Sequence, residues 1–247
     1  MNVFISGVSS TIGVHLSKRL LDDGHGVVGF DILHNDELPK QISFIQGDIR
    51  ESTEVEAIAV NCDTGVHLAA LAPKSSERDI ASVNVFGAYS FLRAAKEACF
   101  YNTIIASSAP VHLPPCKSDN TMLPKSSIDE DHIYDLTKSL QEVIANDFHT
   151  HGLPVLCLRF GHVVFGNDEL NLKRTKDLRK EDYCRGGWVA LEDVVDACAA
   201  ALQITPSSTE LEIINVVGSK GARSRFHTAE TENRLGINIK YEFSAFE

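Results

Sequence analysis

The chain has 247 residues, 43% of them hydrophobic and 23% charged, with a formal net charge of −11. That length suits one large α/β domain or a main domain with a small appendage, and the acidic balance without a basic run argues against a nucleic-acid partner. No apolar stretch approaches the roughly 18 residues of a membrane span, no leader pattern opens the chain, and six cysteines without a C-x-x-C pair argue against a disulfide frame or zinc site; the expectation is a cytoplasmic protein with no metal.

Short apolar runs at residues 3–6, 27–31, 43–46, 66–69, 103–107, 154–159 and 211–216 read as strands. Residues 12–23, 52–60, 79–99, 134–150 and 191–203 read as helices between them. Ile12, Leu16 and Leu20, and likewise Leu136, Leu140 and Ile144, have the i, i+4 spacing of a helix face. Gly24 and Gly152 fall where helices end. Continuous apolar strands separated by helices predict a parallel sheet with crossover connections, hence a doubly wound α/β Rossmann fold. Residues 110–131 and 160–187 are polar and follow strand C-termini, where open α/β sheets place ligands. They read as active-site loops, although ordinary surface loops have the same composition.

Between the first strand and first helix lies Gly7-Val8-Ser9-Ser10-Thr11-Ile12-Gly13. One glycine suits the tight turn and another the close helix–strand packing of a dinucleotide loop, with a pyrophosphate on the helix N-terminus. Ser10 stands where such a loop carries its middle glycine, and its hydroxyl either crowds the phosphate or bonds it. Asp31, 18 residues after Gly13, ends the second strand, where a carboxylate binds ribose hydroxyls. No Arg or Lys lies within residues 31–38, which favours NAD over NADP. Asp48 has two readings: a contact to the adenine amino group, or the N-cap of the next helix.

Tyr134 and Lys138 are four residues apart on one helix face, with Cβ atoms about 5–6 Å apart. A nearby ammonium favours the phenolate, which brings tyrosine towards proton exchange near neutral pH.

In order, these motifs resemble the extended short-chain dehydrogenase/reductase family, also called the NAD-dependent epimerase/dehydratase family. The likeness includes the glycine loop, Gly47-Asp48-Ile49, His67-Leu68-Ala69-Ala70, Asn84-Val-Phe-Gly, Ser107-Ser108-Ala109 and Tyr134-x-x-x-Lys138. It continues through Leu158-Arg159-Phe-Gly-His162 and Trp188-Val-Ala-Leu-Glu-Asp193 to a final helix and strand reaching Phe243. The resemblance implies NAD held by the loop, Asp31, Asp48, Ile49, Leu68, Ala69, Ala70, Asn84, Ser107, Tyr134 and Lys138. It implies Tyr134 as general acid/base, Lys138 as its activator and ribose ligand, and Ser108 bonding the same substrate oxygen. Residues 1–165, completed by 188–217, would form the NAD-binding domain. Residues 166–187 and 218–247 would form a small substrate-binding region. A homodimer through the helix at 79–99 and the Tyr134 helix is a further expectation.

Ala109-Pro110 follows Ser108 where the family's dehydratases and decarboxylases carry acidic groups, leaving dehydrogenation or epimerisation of a sugar, sugar acid or nucleotide sugar. The compact C-terminal part is similar to the uronate-dehydrogenase branch, but Ala109 and His162 depart from that branch's Asn and Ser. Ser108, Ala109 and His162 are the substrate-side candidates, with His162 read equally as a hydrogen-bonded structural histidine. Arg174 or Arg179 either meets a substrate carboxylate or phosphate or is a solvated loop charge. The competing reading is a non-catalytic NAD-binding sensor or scaffold.

Overall fold

The structure is a computed structural model that describes residues 1–72, 75–109, 132–164, 187–218 and 226–243. In chain order the elements are β1 (Asn2–Ser6), α1 (Thr11–Asp22), β2 (Gly26–Asp31), β3 (Ser43–Gln46), α2 (Ser52–Ala59) and β4 (Thr64–His67). Next come α3 (Glu77–Ala81), a π-helical turn (Ser82–Phe86), α4 (Gly87–Glu97), β5 (Thr103–Ser108), α5 (His132–Thr150) and β6 (Val155–Phe160). The chain continues through β7 (His162–Val164), β8 (Trp188–Ala190), α6 (Leu191–Ala201), β9 (Glu212–Val216) and α7 (Thr228–Leu235).

Seven parallel strands form one sheet in the order β3-β2-β1-β4-β5-β6-β9. The order reverses between β1 and β4, the switch point at which open α/β sheets bind ligands. The alternation of side chains along a strand separates two cores. Val3 and Ile5 of β1 join Leu16 and Leu20 of α1 and Val194 of α6 on one face. Phe4 joins Val55 of α2, Phe91 of α4 and Ala145 of α5 on the other. Both faces are therefore covered, as the unbroken apolar strand segments require.

Three features depart from the sequence reading. β4 runs Thr64–His67 instead of 66–69, so Leu68 and Ala69 form the crossing loop above it. The polar and small start of this strand hid it: buried Thr64 donates to the Asn102 carbonyl at 2.7 Å, and a Cβ at Gly65 would come within 2.8 Å of Phe100. The helix expected at 79–99 starts at Glu77, with Ser76 accepting from the Asp79 amide, and is interrupted by the π turn. Within 160–187, His162–Val164 is a strand paired in parallel with Trp188–Ala190; three-residue strands are too short to show alternation.

Among the described residues, the chain after α7 lies against α6 without joining a ladder, where a final strand was expected. It is held by Asp193, whose carboxylate accepts from the amides of Lys240 (3.0 Å) and Tyr241 (3.3 Å), and by Glu232, which accepts from the Ile239 amide at 2.9 Å. Trp188 meets Phe243 edge to face at 6.0 Å.

Candidate active site

The first turn after β1 is built by two close approaches. Gly7 has φ +76, and a Cβ there would lie 2.5 Å from the Ala69 amide nitrogen. A Cβ on Gly13 would lie 2.5 Å from the Val8 carbonyl oxygen. Neither position accepts a side chain, and both bring the α1 N-terminus close over the sheet. Ser10 is the N-cap of α1, with φ −67, and its hydroxyl accepts from the Gly13 amide at 3.1 Å. A negative φ in the extended region needs no glycine, so the serine costs no backbone strain. No acidic residue lies in the first turn of α1, so no carboxylate of the helix itself answers its positive end at Thr11 and Ile12.

A cleft of about 710 Å³ opens beside this turn, lined among others by Gly7, Ser9, Ser10, Asp31, Asp48, Ile49, Leu68, Ala69 and Ala70. Asp31 accepts from the Ser9 amide at 3.0 Å and from the Leu33 amide at 3.3 Å, which ties the second-strand loop to the glycine loop. Asp48 does not cap α2, whose N-cap is Glu51. Its carboxylate accepts instead from the Arg50 amide and guanidinium, each at 2.9 Å. The Arg50 guanidinium holds this carboxyl below the usual carboxylate range.

Asn84 sits inside the π turn, a feature that recurs at functional sites. Its Oδ1 accepts from the Leu71 amide at 2.7 Å, and its Nδ2 donates to the Leu71 carbonyl (3.3 Å) and Thr137 Oγ1 (3.0 Å). Asn84 thus shapes the wall formed by residues 68–71 and ties it to α5.

The second half of the site is the buried face of α5. Lys138 is 3% exposed. Its ammonium donates to the Ala106 carbonyl at 2.8 Å and to Gln141 Oε1 at 3.1 Å, and lies 5.7 Å from the centroid of the Tyr134 ring. Burial draws its pKa down from 10.5 to about 8, against the opposing pull of Glu142. Ser108, partly buried, ends the same strand two residues after Ala106.

One turn further, buried Glu142 accepts from Ser107 Oγ at 2.6 Å and from Arg159 Nε and Nη2 at 2.7 Å each. Ser107 and Arg159 are partners in the β5–β6 register, so two strands present their side chains to one helical carboxylate. The Ser107 hydroxyl is therefore engaged within the protein, leaving its main chain for the expected cofactor contact. His67 is fully buried below this layer, its Nδ1 2.7 Å from Ser6 Oγ and its ring 5.0 Å from that of Phe91.

On the substrate side, Ala109 is 3% exposed and packs with Val217 and Phe226, so its methyl faces protein. His162 is exposed on β7. Arg174, Arg179 and the loop at 110–131 lie outside the described residues. Among the described residues no cluster of His, Cys, Asp or Glu could hold a metal ion, and no helix is long and apolar enough to cross a membrane.

Sequence reading missed Thr137, Gln141 and Glu142. Glu142 did carry a signal, because Tyr134, Lys138 and Glu142 repeat at i, i+4 and i+8 along one stripe.

Residues 3–177 match the family described as the NAD dependent epimerase/dehydratase family. The chain belongs to this family. It is accordingly an NAD-dependent enzyme, and the cradle at Gly7 and Gly13 with its adjoining cleft fits a dinucleotide. A probable UDP-glucuronate 4-epimerase of Rhizobium meliloti is 23% identical over 245 aligned residues, covering 84% of this chain and 70% of the relative. The UDP-glucose 4-epimerase of Lactobacillus helveticus is 25% identical over 279 residues, covering 98% of this chain and 84% of that protein. UDP-glucuronate 4-epimerase 6 of Arabidopsis thaliana is matched over 53% of its length. The fold is that of the Bordetella bronchiseptica enzyme WbmG, solved with NAD, at TM-score 0.71, 18% identity and coverage of 98% and 90% of the two chains. It is also that of MoeE5, solved with UDP-glucuronic acid and NAD, at TM-score 0.73, 21% identity and coverage of 98% and 95%.

Proposed function

We propose that the protein is an epimerase that inverts one carbon of a nucleotide-linked hexose or uronic acid, using Tyr134 as general acid/base. The observation that carries this reading is the Lys138 ammonium, buried, bonded to the Ala106 carbonyl and 5.7 Å from the Tyr134 ring centre. A cation held there favours the phenolate, so Tyr134 takes the proton of a sugar hydroxyl as it is oxidised and returns it on reduction. NAD, when bound, would supply the hydride acceptor for this oxidation and the donor for the return step. The α1 N-terminus would hold its pyrophosphate, Asp31 its ribose hydroxyls, and Asp48, Ile49 and residues 68–70 its adenosine end. Ser107 contributes its main chain, and Ser108 bonds the reacting oxygen.

The relatives named as UDP-sugar 4-epimerases support the substrate class. Residues 1–165 with 188–217 act as the cofactor domain. Residues 166–187 and 218–247, including Arg174, act as the substrate region, with His162 at its edge. The competing reading, a non-catalytic NAD sensor or scaffold, is favoured by Ser10 in the glycine loop and by the short substrate region, and opposed by Ser108, Tyr134 and Lys138 standing together in the sequence.

A homodimer belongs to the same reading. Of the apolar residues on the helix at 79–99, Phe91 and Leu92 enter the core, but Phe86 and Tyr89 are exposed and line a shallow hollow with Ile144 of α5, the helix on which Leu136, Leu140 and Val143 are also exposed. This shared apolar face is of the kind that a second copy covers.

The test is a panel of UDP-glucose, UDP-glucuronic acid, their C4 epimers and free glucuronate, incubated with enzyme and NAD and followed by anomeric proton NMR. A nucleotide sugar converts to its epimer without accumulation of NADH. Oxidation of the free sugar acid with stoichiometric NADH would overturn the epimerase reading, and silence across the panel would overturn catalysis on these sugars.

A further inference from the structure

We propose that Gln141 is a positioning residue of this site, its side-chain amide joining the Lys138 ammonium to the Asn84 main-chain carbonyl and so fixing Lys138 beside Tyr134. The inference rests on the reading of Tyr134 as the acid/base. Gln141 lies three residues after Lys138 on the buried face of α5 and is fully buried. Its Oε1 accepts from Lys138 Nζ at 3.1 Å, and its Nε2 donates to the Asn84 carbonyl at 2.7 Å. These partners determine the amide orientation: reversing it would set an NH2 against an ammonium and a carbonyl against a carbonyl.

The Asn84 carbonyl belongs to the π turn, where the helical hydrogen-bond pattern shifts by one residue, and Gln141 binds it from the neighbouring helix. With the Ala106 carbonyl at 2.8 Å, Gln141 engages two of the three N–H bonds of Lys138. One N–H remains for the reacting end of the site. The lysine is thus held against both the β5 strand and the π turn that carries Asn84.

A neutral acceptor suits this place. Burial already draws Lys138 down to about 8, so the ammonium depends on the oxygens around it. The titratable and charged groups facing it are Tyr134 and Glu142 on α5, Cys157 on β6 with Arg159 behind Glu142, and His67 on β4. Burial pushes the Cys157 thiol up and the His67 imidazole down, so both are neutral at ordinary pH. Removing the Gln141 oxygen takes away a bond that favours the charged lysine. Lys138 then sheds its proton at lower pH, and the Tyr134 phenolate forms at higher pH.

The experiment is an ultraviolet titration of the Tyr134 phenolate in the NAD-loaded protein, with Tyr134→Phe as the blank. Gln141→Met keeps length and volume without the amide and raises the Tyr134 midpoint by about one pH unit or more. Gln141→Asn, too short to hold both partners, moves it in the same direction by less, with a small effect on thermal unfolding. In a Lys138→Met background the Gln141→Met substitution moves nothing. An unchanged midpoint in both Gln141 variants, with only lowered thermal stability, would reduce Gln141 to a structural clip between helices. A shift that persists without Lys138 would overturn the route through the lysine. Where UDP-sugar turnover is measurable, kcat falls in Gln141→Met while KM for the sugar nucleotide holds. A wild type inert towards the whole sugar panel would sink the proposed reaction, yet the titration would still decide the role of Gln141.

Discussion

Lys138 Nζ lies 5.7 Å from the centre of the Tyr134 ring, and the main-chain carbonyl of Ala106 and the side chain of Gln141 hold it there. The ammonium is the charged form below about pH 8 in the folded protein and is lost as pH rises through that value. We therefore expect kcat to fall above about pH 8, and Lys138→Met to lower it by about 10²-fold or more. Steady-state rates across the pH range check both; a flat profile above pH 8 would contradict the role given to the lysine charge.

The Glu142 carboxylate is shared by Arg159 and Ser107 inside the protein. Glu142→Leu leaves a largely buried guanidinium without its anion, at a cost of about 3–5 kcal/mol. In a chain of this size that lowers the melting temperature by roughly 6–20 °C. Urea or thermal unfolding checks this, and a loss below about 1 kcal/mol would mean that Arg159 finds solvent or another partner.

Burial holds His67 down at about 3. The unfolded chain takes up this proton near pH 6.5. Between these values the unfolded state binds more protons, so stability falls as pH drops, and at pH 7 the term vanishes. From about pH 7 to about pH 5 it amounts to about 2 kcal/mol. His67→Gln retains an amide near Ser6 and should lose that much less than wild type over the same interval in urea unfolding. Equal losses would show that other groups govern the acid limb.

Sedimentation velocity should give a dimer that Leu140→Glu, alone or with Val143→Glu, converts to a folded monomer. Both residues are exposed on α5, Val143 at 63%. A wild type of about 27 kDa in solution would contradict the proposed pairing.

The strands were legible because a parallel sheet covered on both faces demands continuous apolar runs, and the glycine loop was legible because Gly7 and Gly13 each exclude a side chain. The inward face of α5 was not. The apolar spacing of Leu136, Leu140 and Ile144 marks a largely outward stripe, with Leu136 and Leu140 exposed. Thr137, Lys138, Gln141 and Glu142 occupy the buried one. Periodicity alone assigns the apolar stripe to the core, and here the helix buries polar side chains because strands and the π turn supply their partners. Gln141 had no readable signal, since its second partner is the carbonyl of a residue 57 positions away.

Proton transfer by Tyr134 in step with reversible oxidation of a nucleotide sugar is the chemistry proposed for this site. Its most direct test measures epimer formation from the UDP-sugar converted by the wild type, comparing it with Tyr134→Phe at matched NAD occupancy. Tyr134→Phe should bind NAD with an affinity within a few-fold of wild type and lose about 10²–10⁴-fold in turnover. Turnover at the wild-type rate in Tyr134→Phe would contradict it.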